Sequence, residues 1–323
     1  MVSSNRPYIC VDTFVPVCYP AGDGGLFVMN TEAGQGREPS EKQEPAKKVA
    51  FVLSGGANRG ALEVGVLLVL LEHDIRPQIL VGASVGAINA AILAMNPTLE
   101  GARHLEKIWY EASEKVVVGR DYVSAIWRLV TRRSSLYDSN KLRELLKSFF
   151  PPDIQQFSDI KAAELYITAV DLNSGELVVF GRDRSQSILD AIMASAALPI
   201  LFSPWQYEGR HYVDGSVVSD LPMRVAVDAG ATELYAIDIG PLQFGKRTPG
   251  GILRVVGQTI DAVISHQLVN EYSWSGKLPR EAIHYIYLEA FENVRIWDFK
   301  HTVEMIAKGR EVALEHLRQR GQI

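Results

Sequence analysis

The chain has 323 residues, of which 47% are hydrophobic and 22% are charged, so it can form one large globular domain or two smaller ones with a complete core. Its 33 Lys and Arg residues against 38 Asp and Glu residues give a formal net charge of −5, which argues against a nucleic-acid partner because such partners are bound by strongly basic surfaces. The two cysteines, Cys10 and Cys18, are too few for a disulfide framework and lack metal-ligand spacing, so we expect a cytoplasmic protein.

The sequence contains neither a predicted membrane span nor a predicted signal peptide. One apolar run extends from Val64 to Leu71, is much shorter than a span, and ends at Glu72. The N-terminus lacks a basic start, an apolar core and a small-residue cleavage site. We therefore expect that any lipid surface is contacted locally, by a small part of the chain.

The first 47 residues are predicted to form an N-terminal extension that is partly flexible. Residues 33–48 are rich in Gly, Glu, Lys, Pro and Gln and contain almost no large apolar side chain, a composition typical of a linker. The apolar segment from Tyr8 to Tyr19 is compatible with an edge strand or with a small lid. The main domain is expected over residues 48–323, with a core at 48–240 that carries the motifs and a mostly helical part at 241–323.

From residue 49 onward, short β-branched runs alternate with helical periodicity. This alternation predicts an α/β fold of three layers, α/β/α, in which helices cover both faces of a mostly parallel sheet. In chain order, the predicted elements are strand 49–53, helix 61–73, strand 79–81, helices 85–94, 105–114 and 139–149, strands 165–171 and 177–180, helix 187–196, strand 211–213, helix 223–229, strand 233–239, helix 252–271, strand 284–288 and helix 299–319.

The first predicted strand leads into a glycine-rich loop, residues 55–60, and then into a helix. Such a turn presents backbone N–H groups at a helix N-terminus, where they favour an anion. The anion is either a phosphate or the oxyanion of an acyl intermediate, and a simple tight turn is a third interpretation. Neither G-x-x-x-x-G-K-[ST] nor G-x-G-x-x-G is present, which makes the phosphate interpretation the weaker one.

The second predicted strand leads into Gly82-Ala83-Ser84-Val85-Gly86, a G-x-S-x-G motif followed by a helical run of small residues. In a nucleophile elbow, the serine occupies a sharp turn between strand and helix, and the helix N-terminus faces the reacting centre. Ser84 is therefore the candidate nucleophile. The structural alternative is a serine that only caps the helix.

A serine hydroxyl needs a base to accept its proton. Asp214 is the better candidate, because it ends a short predicted strand and is followed by Gly215; the alternative is an Asp-Gly hairpin turn. The later histidines fall within predicted helices or at a strand start, not in a loop of the kind that presents the histidine of a catalytic triad. They are His266, His284, His301 and His316.

Taken together and in this order, the three motifs resemble those of the patatin-like acyl hydrolases, or patatin-like phospholipases, which use a Ser-Asp dyad without histidine. Residues 55–60 resemble the family's G-G-G-x-[RK]-G loop, residues 82–86 its G-x-S-x-G motif, and residues 214–216 its D-G-[GA] motif. Residues 194–199 resemble its small-residue segment before the aspartate strand. The resemblance spans about Val49 to Ile239 and identifies residues 48–323 as the catalytic domain.

The resemblance implies a lipid acyl-ester hydrolase of the phospholipase A or lysophospholipase type, which forms a covalent acyl-enzyme on Ser84 with Asp214 as the base. It also implies an oxyanion hole built from the backbone N–H groups of Gly55, Gly56 and Ala57. The residues expected to support these motifs are Arg59, Gly60, Gly82, Gly86 and Gly215.

Two residues depart from the family pattern. Ala57 replaces the third glycine of the oxyanion loop, and Ser216 follows the Asp-Gly pair where the family has glycine or alanine. Alanine keeps its backbone N–H, so the oxyanion hole is preserved at a negative φ and strained at a positive one. Arg59 is expected either to brace the loop or to contact a lipid phosphate.

The resemblance further implies a lipid ester substrate at a membrane or micelle surface, no cofactor and no metal. Large apolar side chains at 109–110, 127, 136–137 and 149–150 are compatible with an acyl channel or with the core. No protein partner is indicated. Three alternatives remain open: an acyltransferase that uses the same dyad, a phosphate- or nucleotide-binding module, and a scaffold without activity.

Overall fold

The computed structural model describes residues 8–10, 18–20, 47–118, 139–199, 201–240, 255, 259, 262–263, 278–291, 294 and 298–323. The chain divides into two compact units, Met1–Pro45 and Ala46–Ile323. In the first unit, strand β1 (Tyr8–Cys10) pairs with strand β2 (Cys18–Pro20) in an antiparallel sheet of two strands. These two strands form a sheet of their own within the first unit.

The second unit contains the remaining elements, which follow in chain order. They are β3 (Val49–Leu53), α1 (Gly60–Glu72), β4 (Ile79–Ala83), α2 (Val85–Met95), α3 (Leu99–Val118), α4 (Ser139–Lys147), β5 (Glu164–Asp171), β6 (Leu177–Phe180), α5 (Ile188–Ser195), β7 (Trp205–Tyr207), β8 (Arg210–Asp214), α6 (Met223–Asp228), β9 (Glu233–Asp238), β10 (Ile283–Tyr287) and α7 (Thr302–Gln319). None of the helices within the described ranges is long and apolar enough to cross a membrane.

The strands of the second unit form one sheet in the order β10-β9-β3-β4-β5-β8-β7, and β6 also pairs with β5. The pairs from β10 to β5 are parallel, whereas β6 and β8 run antiparallel to β5, and β7 runs antiparallel to β8. Because β3 and β4 are adjacent and parallel, the loops that follow them leave the same edge of the sheet. This topology brings the first two sequence motifs together.

Alternate residues of β3 pack on opposite faces of the sheet. Phe51 and Leu53 belong to a hydrophobic core that also contains side chains of α1, α2, α3, α5 and α7. Ala50 and Val52 belong to a second core, which contains side chains of α6. Helices therefore cover both faces, and the predicted α/β fold with a mostly parallel central sheet is confirmed.

The predicted elements differ from the observed ones at a few places. Helix α3 begins at Leu99 instead of residue 105, because its buried face includes the small residue Ala102 as well as larger apolar side chains. Strand β7 was not predicted: it is short and joined to β8 by a turn in which Glu208 and Gly209 both have positive φ, without the usual Asn-Gly signal. The predicted helix 252–271 lies almost wholly outside the described residues.

Helices α1 and α7 cross at two glycines, Gly65 and Gly309. A Cβ atom on Gly309 would lie 1.9 Å from the carbonyl oxygen of Leu62, and one on Gly65 would lie 2.1 Å from that of Ile306. The two helix backbones are therefore in direct contact, with no room for a side chain between them. This crossing attaches the C-terminal helix to a central helix of the core.

We expect Gly309→Ala to lower the free energy of unfolding by about 1–3 kcal/mol, because the added methyl group overpacks the crossing. Alanine is the better helix former by about 1 kcal/mol, so a loose crossing would instead give a more stable protein. Urea unfolding measures the difference. The exposed helix residue Glu304 supplies the control, since Glu304→Ala should change stability by no more than about 0.5 kcal/mol.

Candidate active site

Ser84 forms a one-residue turn between β4 and α2. Its φ of 54° and ψ of −122° lie in a region that residues with a side chain rarely adopt. The turn is tight, since a Cβ atom on Gly82 would lie 2.3 Å from the carbonyl oxygen of Gly86. The Ser84 side chain makes no capping hydrogen bond to α2, so the interpretation of Ser84 as a helix cap is wrong. The geometry is that of a strained nucleophile elbow.

The backbone of the elbow is held by Ser195 at the end of α5. The N–H of Ser84 donates a hydrogen bond of 2.8 Å to the Ser195 hydroxyl, which is fully buried. This contact joins the elbow to the small-residue segment 194–199. The segment therefore positions the candidate nucleophile directly.

Strand register brings Asp214 to the elbow. Ala83 pairs with Thr168 of β5, and Asp214 pairs with the next residue of β5, Ala169. Asp214 and Ser84 thus lie on either side of β5 at the same edge of the sheet. Asp214 is followed by a short 3-10 turn over Gly215–Val217, so the hairpin interpretation of the Asp-Gly pair is wrong.

The carboxylate of Asp214 is fully buried. One oxygen, Oδ1, accepts a hydrogen bond of 2.9 Å from the N–H of Ser216, and the other, Oδ2, accepts none from the described residues. Burial raises the pKa of Asp214 to about 6, against the lowering effect of the nearby Ser84 hydroxyl and of Ser216. Asp214 therefore has one oxygen that accepts no hydrogen bond from the described residues, beside the candidate nucleophile.

The glycine-rich loop follows β3, and its N–H groups have different roles. Gly55 donates its N–H to Oδ1 of Asp220 at 3.1 Å. The N–H groups of Gly56 and Ala57 donate no hydrogen bond to a described residue. Ala57 has a φ of 53°. Of the two possibilities, a negative and a positive φ, the structure therefore has the positive one, which strains an alanine but would not strain a glycine.

Arg59 braces this loop from inside the protein. It is buried, and its Nη2 donates a hydrogen bond of 2.8 Å to the carbonyl oxygen of Gly240, beyond β9. A buried guanidinium that binds the backbone is not available to a lipid phosphate. These contacts favour the bracing interpretation. The neighbouring Gly60 packs against Val85 of α2, which ties the loop to the elbow.

Buried carboxyl groups of Glu63, Asp220 and Asp238 lie close to the loop, and sequence reasoning missed all three. Burial raises the pKa values of all three, well above the usual range for Glu63 and Asp220, and the charges of neighbouring carboxylates raise those of Glu63 and Asp220 further. Asp238 accepts hydrogen bonds from the N–H of Gly240 at 2.7 Å and the Tyr285 hydroxyl at 2.5 Å. Within the local sequence, the one feature that pointed to any of these carboxyl groups was the position of Asp220, six residues after the candidate base Asp214.

A cavity of about 360 Å³ lies beside Ser84. Its walls come from α2, α3, α4, the segment after α5 and the residues before α7, and none of the described lining residues is charged. Trp109 and Phe149 line it, in agreement with the acyl-channel interpretation, whereas Tyr110 and Phe150 do not. Trp127 and residues 136–137 lie outside the described residues. Phe299 joins the wall from the C-terminal part of the chain and lies 6.1 Å from Trp109, centroid to centroid.

The described histidines form no hydrogen bond or ion pair with the candidate dyad. His284 is buried, stacks on Tyr235, and places Nε2 3.1 Å from Oε1 of Glu233. Burial lowers the pKa of His284 and also that of His316, which falls to about 4. No hydrogen bond or ion pair joins a histidine of the described ranges to Ser84 or Asp214, and His266 lies outside those ranges.

The chain is similar in sequence and in structure to known proteins. The family model described as "Patatin-like phospholipase" matches residues 51–227. "Patatin-like phospholipase domain-containing protein 7" of Rattus norvegicus is 28% identical over 193 residues, which are 59% of this chain and 14% of the rat protein. "cGAMP-activated phospholipase" of Escherichia coli is 25% identical over 289 residues, which cover 73% of this chain and 78% of that protein.

Among solved structures, VipD from Legionella pneumophila matches with a TM-score of 0.45 and 14% identity, over 85% of this chain and 67% of that one. The family match includes the glycine-rich loop, the elbow and the aspartate motif in their predicted order. It covers more than half of the 323 residues. The chain belongs to the patatin-like phospholipase family.

Proposed function

We propose that this chain is a lipid acyl-ester hydrolase of the phospholipase A or lysophospholipase type, which acts through a Ser84-Asp214 dyad and a covalent acyl-enzyme. The observation that carries the proposal is the position of Ser84, on a strained elbow between a buried carboxylate and an apolar cavity. The family supports it, since its members are lipid acyl hydrolases and the rat and E. coli relatives are named as phospholipases.

In the first half-reaction, Oγ of Ser84 attacks the ester carbonyl while Oδ2 of Asp214 accepts the hydroxyl proton. The tetrahedral intermediate collapses, the bond to the alcohol breaks, and Asp214 returns the proton to the departing oxygen. In the second half-reaction, Asp214 removes a proton from water, which attacks the acyl-enzyme. The fatty acid leaves, and Ser84 regains its proton.

The environment of Asp214 suits a base that works without histidine. A pKa of about 6 keeps the carboxylate ionised at neutral pH and makes it a stronger proton acceptor than a solvated one. The unused Oδ2 supplies the accepting atom. We expect kcat/KM to fall as pH drops below about 6.

The oxyanion hole is proposed to consist of the N–H groups of Gly56 and Ala57, each contributing on the order of 3 kcal/mol to the transition state. The proposed hole thus has two donors, whereas the sequence predicted three, from Gly55, Gly56 and Ala57. The N–H of Gly55 is held by Asp220, so Gly55 fixes the position of the loop instead of binding the oxyanion. Asp220 is therefore a positioning residue.

The cavity supports an acyl chain as the group that is bound. Its volume of about 360 Å³ is within the usual range for small-molecule sites, and its walls are apolar. Burying a chain in it would contribute about 0.8 kcal/mol per methylene. Lipid esters of this kind are found in membranes and micelles, so we propose a cytoplasmic enzyme that binds lipid surfaces peripherally.

The phosphate-binding alternative is less compatible with the glycine-rich loop. One of its N–H groups is already bonded to a carboxylate, and three buried carboxyl groups lie nearby. The bonded N–H group is unavailable to a phosphate, which carries more charge and more acceptor oxygens than a transient oxyanion, and the oxyanion needs only two donors.

Ser84→Ala and Asp214→Asn should each lower the hydrolysis of p-nitrophenyl butyrate by at least about 1000-fold, since each removes one half of the dyad. His301→Gln tests whether a histidine takes part in a Ser-His-Asp triad, and this variant should retain activity. A fluorophosphonate probe followed by mass spectrometry should modify Ser84 in the parent protein. Turnover that survives in Ser84→Ala, or that disappears in His301→Gln, would contradict the dyad.

Asp214→Asn should also change stability with pH. The folded protein holds the Asp214 pKa near 6, above the 3.8 of a free carboxyl, so the parent loses up to about 3 kcal/mol of unfolding free energy as pH rises from about 4 to about 6. The asparagine variant avoids this loss and should be the more stable protein at pH 8, but not at pH 4. Urea unfolding at several pH values measures the difference.

Asp171 provides a control of opposite sign. Hydrogen bonds from the N–H groups of Asn173 and Ser174 lower its pKa, so Asp171→Asn should destabilise the protein at pH 8. If the two variants shift stability in the same direction with pH, the pKa of Asp214 is not raised in the folded protein.

Ala112→Phe should shift chain-length preference, because Ala112 lines the cavity on α3. Excluding only two methylenes from the cavity, at about 0.8 kcal/mol each, lowers kcat/KM about tenfold. The ratio of kcat/KM for p-nitrophenyl palmitate to that for the butyrate should therefore fall by at least about tenfold. Glu111→Phe adds the same ring at the neighbouring exposed position and should leave the ratio unchanged. An unchanged ratio in Ala112→Phe would mean that the acyl chain binds elsewhere.

A further inference from the structure

A second cavity, of about 400 Å³, lies between α4 and the beginning of α5. Arg143 and Lys147 of α4 line one part of it. The rest is mainly apolar, with Phe150, Ile154 and Leu189 among the lining side chains. We call it the basic cavity. It shares no lining residue with the cavity beside Ser84.

The two cations of the basic cavity are not neutralised within it. Arg143 and Lys147 are one helical turn apart, a spacing at which like charges repel each other. No Asp or Glu is among the described lining residues. Arg143 has a long contact, 3.9 Å, with the exposed Glu144, and Lys147 forms no ion pair with a described residue. The cavity therefore holds an excess of positive charge beside apolar surface.

This local charge contrasts with the net charge of −5 on the whole chain. An acidic protein is repelled by an anionic bilayer unless a restricted basic site binds it. The combination of two cations with apolar side chains fits a phosphate group joined to hydrocarbon. Arg can bind phosphate oxygens in a bidentate manner, and Lys adds a point charge.

We propose that the basic cavity binds the phosphate group of an anionic membrane glycerophospholipid and so attaches the enzyme to a lipid surface. The inference rests on the proposed function, since it assigns to that lipid hydrolase the site that contacts the bilayer. The apolar side chains of the cavity contact the glycerol and the first methylenes of the bound lipid.

Helix α4 links this site to the substrate cavity. Its residues Leu142, Leu145 and Leu146 line the cavity beside Ser84, while Arg143 and Lys147 line the basic cavity. The helical period of 3.6 residues places the two sets on different faces of the same helix. A lipid in the basic cavity therefore contacts the helix whose other face forms a wall of the proposed acyl site, and anionic lipid should increase hydrolysis at the surface.

Binding is tested with the double variant Arg143→Gln/Lys147→Gln in a Ser84→Ala background, so that vesicles are not consumed. The parent should co-sediment with vesicles of equimolar phosphatidylcholine and phosphatidylglycerol more than with phosphatidylcholine alone. The double variant should lose about 10–30-fold in affinity for the mixed vesicles, as expected for two cations near an anionic surface. Circular dichroism and urea unfolding verify that the variants are folded.

Arg103→Gln/Lys107→Gln is the matched control. These residues have the same spacing on α3, are exposed, and line neither cavity. This variant should bind mixed vesicles like the parent. If both double variants lost the same affinity for mixed vesicles, the effect would come from net charge alone, and the proposed site would be overturned.

Hydrolysis assays distinguish a failure of this inference from a failure of the proposed function. With Ser84 intact, the ratio of vesicle hydrolysis to p-nitrophenyl butyrate hydrolysis should fall in the Arg143/Lys147 variant and stay unchanged in the control. A parent that binds mixed vesicles but hydrolyses neither substrate would contradict the proposed function and leave the binding site intact. Active protein whose vesicle binding is unaffected by the double variant would overturn the inference, as would stabilisation by inorganic phosphate without vesicle binding.

Discussion

The register of β5 against its two neighbours is the constraint on which the site depends. Parallel pairing sets Ala83 opposite Thr168, and antiparallel pairing sets Asp214 opposite Ala169. A shift of one residue in either pair would turn every side chain of the strand to the other face and separate the hydroxyl from the carboxylate. The proposed base, Asp214, thus lies close to Ser84, more than one hundred residues away in the sequence, because two strands of opposite direction share one neighbour. The glycine-rich loop reaches the same edge through the parallel pairing of β3 and β4.

The site concentrates features that oppose folding. Ser84 and Ala57 have positive φ, and the carboxyl groups of Asp214, Asp220 and Glu63 are buried. Backbone strain of this kind costs about 1–3 kcal/mol per residue, and a buried carboxyl that must ionise adds to it. The surrounding core offsets these terms. Helix α1 is almost entirely buried between the sheet and its neighbouring helices, and it contacts α7 backbone to backbone, so the loop and elbow are attached to a rigid support.

Local sequence was sufficient for the motifs, because a tight turn, a nucleophile and a terminal carboxylate each require particular residue types at fixed spacing. It predicted Ser84 and Asp214 as candidates and most of the strands. It could not predict that Asp220 binds the N–H of Gly55, since that bond joins residues 165 positions apart. The sign of φ at Ala57 was also undetermined, because alanine tolerates either sign at different cost. The position of Phe299 could not be predicted for the same reason as the Asp220 contact: it arises from the packing of the residues before α7 against Trp109 of α3 and not from a pattern in its neighbourhood.

The match to the family ends at residue 227, and the parts of the site fall on both sides of that boundary. The elbow, the aspartate and the glycine-rich loop lie inside it, whereas the loop brace at Gly240, the carboxyl group of Asp238 and the cavity wall at Phe299 lie beyond it. The segment shared with the family therefore carries the groups that we propose to react, and the C-terminal part shapes their surroundings. Because the cavity beside Ser84 is bounded by both parts, the proposed chemistry follows from the family, whereas the length of acyl chain that the cavity can hold depends on residues particular to this sequence.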